Sequence, residues 1–359
     1  MKPSVRQLIV GAARSDAITN MALSIARSIS HVADAEIFSF HPVGPDLRSE
    51  IKDFAMIPEG EHNDVFVYHS SFGIPQITRL LRERHDKLVL VYHNITPADR
   101  YWDLAPDFAS ALEWGRHELV LLRERVVAAV ADSEFNASEL LNIGYRDVIV
   151  IPAGIDPFRL TNTQIDPKFN RELGENFPEG FILFVSQVLP HKRVELALEV
   201  VHLLRSVHRL DLGLVVAGPM RNPRYSEILS KYRSKLPEAK VLFLGEATEA
   251  QLATLYRKAT VYLGTSDHEG LGLPPLEAMS AGCPVVVRGS GAIPETVGMG
   301  ALVINPAAGV LELTEAIAEV IHNGDLRNHL VGEGFRRVKQ IATPVTGRTI
   351  LDVIEAVLR

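Results

Sequence analysis

Residues 268–286 read His268-Glu269-Gly270-Leu271-Gly272-Leu273-Pro274-Pro275-Leu276-Glu277-Ala278-Met279-Ser280-Ala281-Gly282-Cys283-Pro284-Val285-Val286. Two carboxylates stand with seven residues between them, split by a Gly-Leu-Gly-Leu turn and a double proline. Proline is favoured at the first helical position, where its missing N–H is not needed. The run therefore predicts a loop, then a helix starting near Pro274 with Glu277 in its first turn. Such a helix start offers unpaired N–H groups and a positive dipole end, which suit a phosphate. Gly270 and Gly272 allow close approach of a ligand to the backbone. An acid on each side of the turn is placed to hold sugar hydroxyls at either end of a diphosphate. One acid alone would read equally well as complementing the dipole of a surface helix; the whole pattern is more specific.

Outward from this stretch, short apolar runs alternate with longer helical patterns in both halves, the mark of a parallel α/β architecture. Strands are expected at residues 6–10, 36–40, 65–69, 88–92, 127–131 and 148–151 in the first half. In the second half they are expected at 182–185, 212–217, 240–244, 260–264, 284–287 and 301–304. Amphipathic helices lie between them, such as residues 193–207, whose apolar positions recur at three- and four-residue steps. Residues 161–180 break the alternation. They are polar, carry Pro167 and Pro178, and read as an interdomain linker. The expected fold is two Rossmann-like α/β domains facing a cleft. Ligands in such folds bind beyond the carboxyl ends of the strands.

At 359 residues the chain is long for one core. Its 47% apolar and 23% charged residues are ordinary for a soluble globular protein. No run approaches the uninterrupted apolar length of a membrane span, and the start runs into an apparent strand with no signal-peptide pattern. The single cysteine, Cys283, excludes an internal disulfide and a cysteine-based metal cage. These features lead to the expectation of a cytoplasmic protein. A net charge of −7 argues against nucleic-acid binding. No Gly-x-Gly-x-x-Gly follows the first strand, and no Walker lysine loop, zincin pair or Gly-x-Ser-x-Gly elbow is present. Dehydrogenases, P-loop enzymes, zinc hydrolases and α/β-hydrolases are disfavoured accordingly.

Other strand-end loops carry further candidates. Lys192 and Arg193 fall just before a helix, where a cation is unfavourable unless an anion joins it. A cation there could neutralise charge on a departing diphosphate. His93 closes the fourth expected strand; a histidine can donate to a sugar hydroxyl or share a developing charge. Gly11, Ala12 and Ala13 follow the first strand and precede a helix expected from about Asp16. Their small size admits a substrate, although tight strand–helix packing explains it equally well. Glu246 and Glu295 end further strands, and Tyr256 reads as core.

With these pieces assembled, the chain resembles glycosyltransferase family 4, retaining enzymes of the GT-B fold. Glu269 to Glu277 matches that family's Glu-x7-Glu motif in a typical setting. Ile151-Pro-Ala-Gly-Ile-Asp156 resembles its Pro-Asn-Gly-Val-Asp segment, and Asp132-Ser-Glu-Phe-Asn136 a motif near the end of its first domain. The run from Leu255-Tyr-Arg-Lys-Ala to Thr265-Ser resembles the helix–strand unit that leads into the motif. The resemblance implies an acceptor-side domain over residues 1–160, a nucleotide-sugar-binding domain over 161–342 and a helix in 343–359 returning to the first domain.

It also implies roles. Glu269 would contact the donor sugar, Glu277 the ribose, and Lys192 the diphosphate. The backbone N–H groups of Gly270, Leu271, Gly272 and Leu273 would assist, and His93 would lie near the donor sugar. No metal or cofactor is implied beyond a nucleotide-sugar donor, a UDP- or GDP-hexose. Many members have Gly-Arg where this chain has Ser186-Gln187, so a second phosphate cation is missing at Gln187. Either Arg193 or an arginine elsewhere compensates, or the enzyme is slower, or it prefers a particular donor. The implied function is transfer of a hexose, with retention, to a hydroxyl of a glycan or lipid-linked acceptor in surface-polysaccharide synthesis. The alternatives are a nucleotide-sugar hydrolase or epimerase of the same fold, or a non-catalytic nucleotide-sugar sensor. Residues 76–87, with Arg79, Arg82, Arg84 and Lys87, could touch anionic lipid at the inner membrane face, as could Arg100-Tyr101-Trp102. A solvated basic helix is favoured, because the net charge is negative.

Overall fold

The computed structural model describes residues 2–14, 16–152, 158–342 and 349–359. The chain divides into two compact units: residues 1–99, 106–154 and 344–359 form one, residues 100–105 and 155–343 the other.

In the first unit, β1 (Ser4–Ile9), β2 (Asp34–Ser39), β3 (Lys52–Asp53), β4 (Val65–Ser70), β5 (Lys87–Tyr92), β6 (Val126–Ala131) and β7 (Ile149–Val150) form one parallel sheet. Its order is β3-β2-β1-β4-β5-β6-β7. Helices α1 (Ala17–Ile29), α2 (Pro75–Glu83), α3 (Pro106–Leu122) and α4 (Glu134–Asn142) make the crossovers. The second unit opens with α5 (Pro167–Asn176). Its parallel sheet holds β8 (Phe181–Val185), β9 (Gly213–Ala217), β10 (Val241–Gly245), β11 (Val261–Gly264), β12 (Val285–Arg288) and β13 (Leu302–Ile304), in the order β10-β9-β8-β11-β12-β13. Helices α6 (Val194–Ser206), α7 (Pro223–Arg233), α8 (Glu249–Lys258), α9 (Leu273–Ser280), α10 (Ile293–Val297), α11 (Val310–His322) and α12 (Gly324–Ala342) follow or connect these strands. The final helix, α13 (Ile350–Leu358), belongs to the first unit, where Val353 and Ile354 pack with Val5, Val65, Val89 and Val130.

Crossover helices cover both faces of a parallel sheet, so its strands are apolar on both sides rather than alternating. β4 and β9 are buried at every position. Each sheet has one switch point, where connections leave in opposite directions: between β1 and β4 in the first, and between β8 and β11 in the second. A crevice for ligands opens beyond the carboxyl ends at such a point.

Three expectations are corrected. The first sheet has β3 as an additional edge strand; its two residues, Lys52 and Asp53, are polar and exposed, so no apolar signal marks it. Residues 161–180 are no linker: α5 lies there, and Phe169, Leu173 and Phe177, spaced one helical turn apart, enter the core of the second unit beside Phe181 and Tyr256. The basic face expected over residues 76–87 is also broken up. α2 ends at Glu83, and Arg84 is buried, bonded to Asp86 and stacked on Phe66. Lys87 begins β5 and donates to the Val357 carbonyl at 2.6 Å. No helix among the described residues is long and apolar enough to cross a membrane.

Replacing the buried Leu173 with alanine is expected to cost about 2–5 kcal/mol of stability, the range for a cavity in a core. Denaturant unfolding measures it; a loss within about 0.5 kcal/mol, as at an exposed position, would restore the linker reading.

Candidate active site

The loops that leave β8 and β11 lie side by side at the switch point of the second sheet and are laced together. Asp267 donates its N–H to the His191 carbonyl at 2.8 Å. The Thr265 hydroxyl donates to the carbonyls of Lys192 and Arg193 at 2.8 and 2.9 Å. Lys192 ends the short 3-10 turn Pro190–Lys192, and Arg193, left-handed at φ 56°, turns the chain into α6. This geometry aims Lys192 at the motif loop: its Nζ lies 2.7 Å from Glu269 Oε1, which also accepts from the Ser266 hydroxyl at 2.7 Å. Both members of the pair are mostly buried.

The anions expected beside the two cations are, in this structure, the protein's own carboxylates. Arg193 places Nε 2.5 Å from Glu195 Oε1 and Nη1 3.2 Å from Asp267 Oδ2. Asp267 also takes Arg288 Nη1 at 2.5 Å and an Nη2 of Arg100. Arg100 belongs to the segment Arg100–Ala105 of the second unit. From the same segment, the buried Tyr101 places its hydroxyl 2.5 Å from His191 Nδ1. Burial first, then the positive charges of Lys192, His268 and Arg100, hold the His191 pKa well below the usual histidine range. Gln187 stands exposed on the β8 loop.

Beyond Glu269 the chain turns through Gly270 and Leu271 to Gly272, which caps α9 at φ 91°. That dihedral favours glycine; a side chain at 272 would also meet Ile293 Cδ1 at 2.6 Å, a contact that the flexible end of the isoleucine can relieve. The Leu271 carbonyl is held by the Thr296 hydroxyl at 2.5 Å, and the Glu269 carbonyl by the Ala292 N–H at 2.9 Å. Leu273 rather than Pro274 is the first helical residue, so both prolines fall in the first turn and Glu277 lies one residue further in than expected, just past the first turn. Glu277 is buried; it accepts from the Tyr256 hydroxyl at 2.9 Å and from Arg159 at 3.4 Å. Burial raises its pKa, and the Tyr256 hydrogen bond and Arg159 oppose the rise. Tyr256 is core, as expected, with its hydroxyl on an acid.

Lys192, Arg193, Gln187, Glu269 to Leu273 and Glu277 are thus gathered in one unit. Glu246 is exposed beyond β10. Glu295 lies in α10, where its carbonyl accepts from Arg337. His93 and Gly11 to Ala13 belong to the first unit. A side chain at Gly11 would meet only His41, at an ordinary 3.9 Å, so packing does not require glycine there. Ala13 donates its N–H to Thr19 Oγ1 at 3.2 Å, beside the Asp16 cap of α1. Of the segment 151–156, residues 153–156 lie outside the described residues.

His93 follows β5 and joins a buried chain of side chains. Gln7 donates Nε2–H to the Ala22 carbonyl at 2.8 Å, which leaves its Oε1 to accept from His69 Nε2 at 3.1 Å. Burial, then His93, push the His69 pKa well below the usual range, so His69 is neutral and its Nδ1 is an acceptor. His93 Nε2, 2.9 Å away, is therefore the donor, while its Nδ1 lies 2.8 Å from Asp132 Oδ2. Both ring nitrogens are engaged, and serving a sugar hydroxyl would cost one of these bonds. The sequence reading leaves out His69 and has Asp132 only as part of the Asp132–Asn136 motif, although both stand at strand ends, where the rule that picks out His93 applies. Asp267, Arg288 and Arg100 carry no comparable signal; only the fold makes them neighbours.

Residues 166–337 match the family model described as glycosyl transferases group 1. This stretch belongs to that family. The O-antigen chain mannosyltransferase B of Escherichia coli is 28% identical over 164 residues, 46% of this chain and 42% of its own length. The chain spans less than half the length of the first curated relatives it matches. A longer match, 26% identical over 329 residues, is to the MMP α-(1→4)-mannosyltransferase of Mycolicibacterium hassiacum, covering 85% of this chain and 74% of that protein. The crystal structure of Anabaena Alr3699/HepE in complex with UDP-glucose superposes with a TM-score of 0.75 at 18% identity, covering 99% of each chain. At that identity the likeness speaks for the fold, the GT-B class with its two Rossmann-like domains.

Replacing His69 with phenylalanine would leave the His93 Nε2 donor buried without a partner. A loss of about 1–3 kcal/mol in denaturant unfolding is expected; unchanged stability would mean that the hydrogen bond is not formed.

Proposed function

We propose that this protein is a glycosyltransferase that moves a hexose from a nucleotide-diphosphate sugar to a hydroxyl acceptor with retention of configuration and without a metal ion. The observation that carries the reading is the Lys192–Glu269 pair, held at 2.7 Å where the β8 and β11 loops meet at a switch point. In this reading Lys192 leaves its carboxylate to meet the diphosphate and stabilises charge as it builds on the leaving group. Glu269, fixed through its backbone by Ala292 and through Oε1 by Ser266, takes sugar hydroxyls. Glu277 accepts from the ribose with lone pairs that Tyr256 and Arg159 leave over, each carboxylate oxygen having capacity for more than one donor. The backbone from Gly270 to Leu273 lines the phosphates at the start of α9. The names of the relatives support a hexose, and mannose first, with a lipid-linked or polysaccharide intermediate as acceptor.

A thermal-shift screen with UDP, GDP, ADP and their sugars tests the donor, since a ligand of the folded state raises the midpoint by mass action. Lys192→Ala is expected to cut turnover by roughly two to three orders of magnitude, as loss of an electrostatic stabiliser does; an unchanged rate would sink the assignment. Glu277→Ala is expected to raise the donor KM more than it lowers kcat, because ribose binding is similar in the ground and transition states. Steady-state kinetics with the identified donor reads both, and the opposite pattern at Glu277 would exchange the roles of the two acids.

A further inference from the structure

We infer that Arg100 supplies the second diphosphate cation, the charge that Gln187 does not carry. The inference rests on the donor reading above. Arg193 is next to Lys192 in sequence but is committed elsewhere: Glu195 holds its Nε, Asp267 holds its Nη1, and its backbone turns the chain into α6. Arg288 is committed too. Its Nη1 bonds to Asp267 and to the Thr265 carbonyl at 3.1 Å, its Nη2 to the Pro306 carbonyl, and its side chain is only 8% exposed. Arg100 differs in touching Asp267 through Nη2 with 44% of its side chain exposed.

The crowding at Asp267 points the same way. Three guanidiniums, Arg100, Arg193 and Arg288, converge on the single carboxylate of Asp267. Arg100 is the most exposed of the three and has the most freedom to turn toward an anion. Arg100 is also near Lys192: the residue that follows it, Tyr101, is hydrogen-bonded at 2.5 Å to His191, the residue that precedes Lys192. Both cations depress the titration of that one imidazole. A planar guanidinium can meet phosphate oxygens with paired N–H donors, which Gln187 cannot match in charge.

The test is calorimetric titration of the full chain with UDP, GDP and ADP, and with uridine, guanosine and adenosine as probes of the same bases without phosphate. Arg100→Ala is expected to weaken binding of the preferred diphosphate by about 10- to 100-fold, the loss of one charge-assisted contact. Nucleoside binding should stay within about twofold, and Arg100→Lys should recover part of the loss. A role limited to anchoring the 100–105 segment would weaken nucleoside and diphosphate alike, and that result overturns the inference. So does diphosphate binding by Arg100→Ala within about twofold of the parent while Lys192→Ala binds poorly; the donor reading would survive it. If none of UDP, GDP and ADP binds the parent protein, both the donor reading and this inference fall.

Discussion

Strands that pair in parallel all end on the same edge of their sheet, and the active-site chemistry proposed here depends on that constraint. Crossover helices return each chain segment to the opposite edge, so every loop that follows a strand opens on one side. At β8 and β11 the connections diverge, and the two loops are left with nothing between them but each other. Asp267 and Thr265 then bridge the gap with a backbone and a hydroxyl contact. Lys192 and Glu269, 77 residues apart, meet as a result of strand order rather than of any affinity visible along the chain.

The second unit also manages its charge in a consistent way. The cations around the motif loop rest on carboxylates: Lys192 on Glu269, Arg193 on Glu195 and Asp267, Arg159 on Glu277 and Glu249. Partly buried pairs of this kind contribute modestly to stability, because desolvation offsets much of the attraction. They do keep these polar side chains oriented. Glu277 departs from the pattern, since burial opposes its ionisation and Tyr256 and Arg159 work against that.

Much of the fold is legible in the sequence because doubly covered parallel strands are apolar throughout, and runs such as Val65–Ser70 or Gly213–Ala217 stand out from their surroundings. The exceptions have physical causes. β3 is two exposed polar residues and offers no pattern to find. α5 hides three aromatic or aliphatic anchors in an otherwise polar stretch, and its prolines suggest a linker although Pro167 is simply the first helical residue. Within the site, Glu269, Glu277 and Lys192 are readable because turn chemistry and position beside a helix start constrain them locally. The surroundings of Asp267 are not readable, because its three arginines come from a short turn at 98–100, the cap of α6 and the end of β12, and acquire meaning only through contact. Glu277 falls one residue deeper in α9 than its sequence implies, because a double proline fixes the start of a helix only to within a residue or two.

The segment Arg100–Ala105 has a consequence for how the molecule can be taken apart. It lies in the first half of the sequence yet is built into the second unit, where Tyr101 is 1% exposed, Leu104 packs on the core and Asp103 accepts from Arg224. A second unit expressed as one continuous piece from residue 155 would lack those six residues. The space that Tyr101 fills beside His191 would be left open, a cavity that costs on the order of 3–5 kcal/mol for a large aromatic side chain. The first unit, cut at the same place, would lack α13 and the apolar cover that Val353 and Ile354 give its sheet. Neither half of the gene encodes a whole folding unit, and separate production of the second would require the hexapeptide to be grafted onto it.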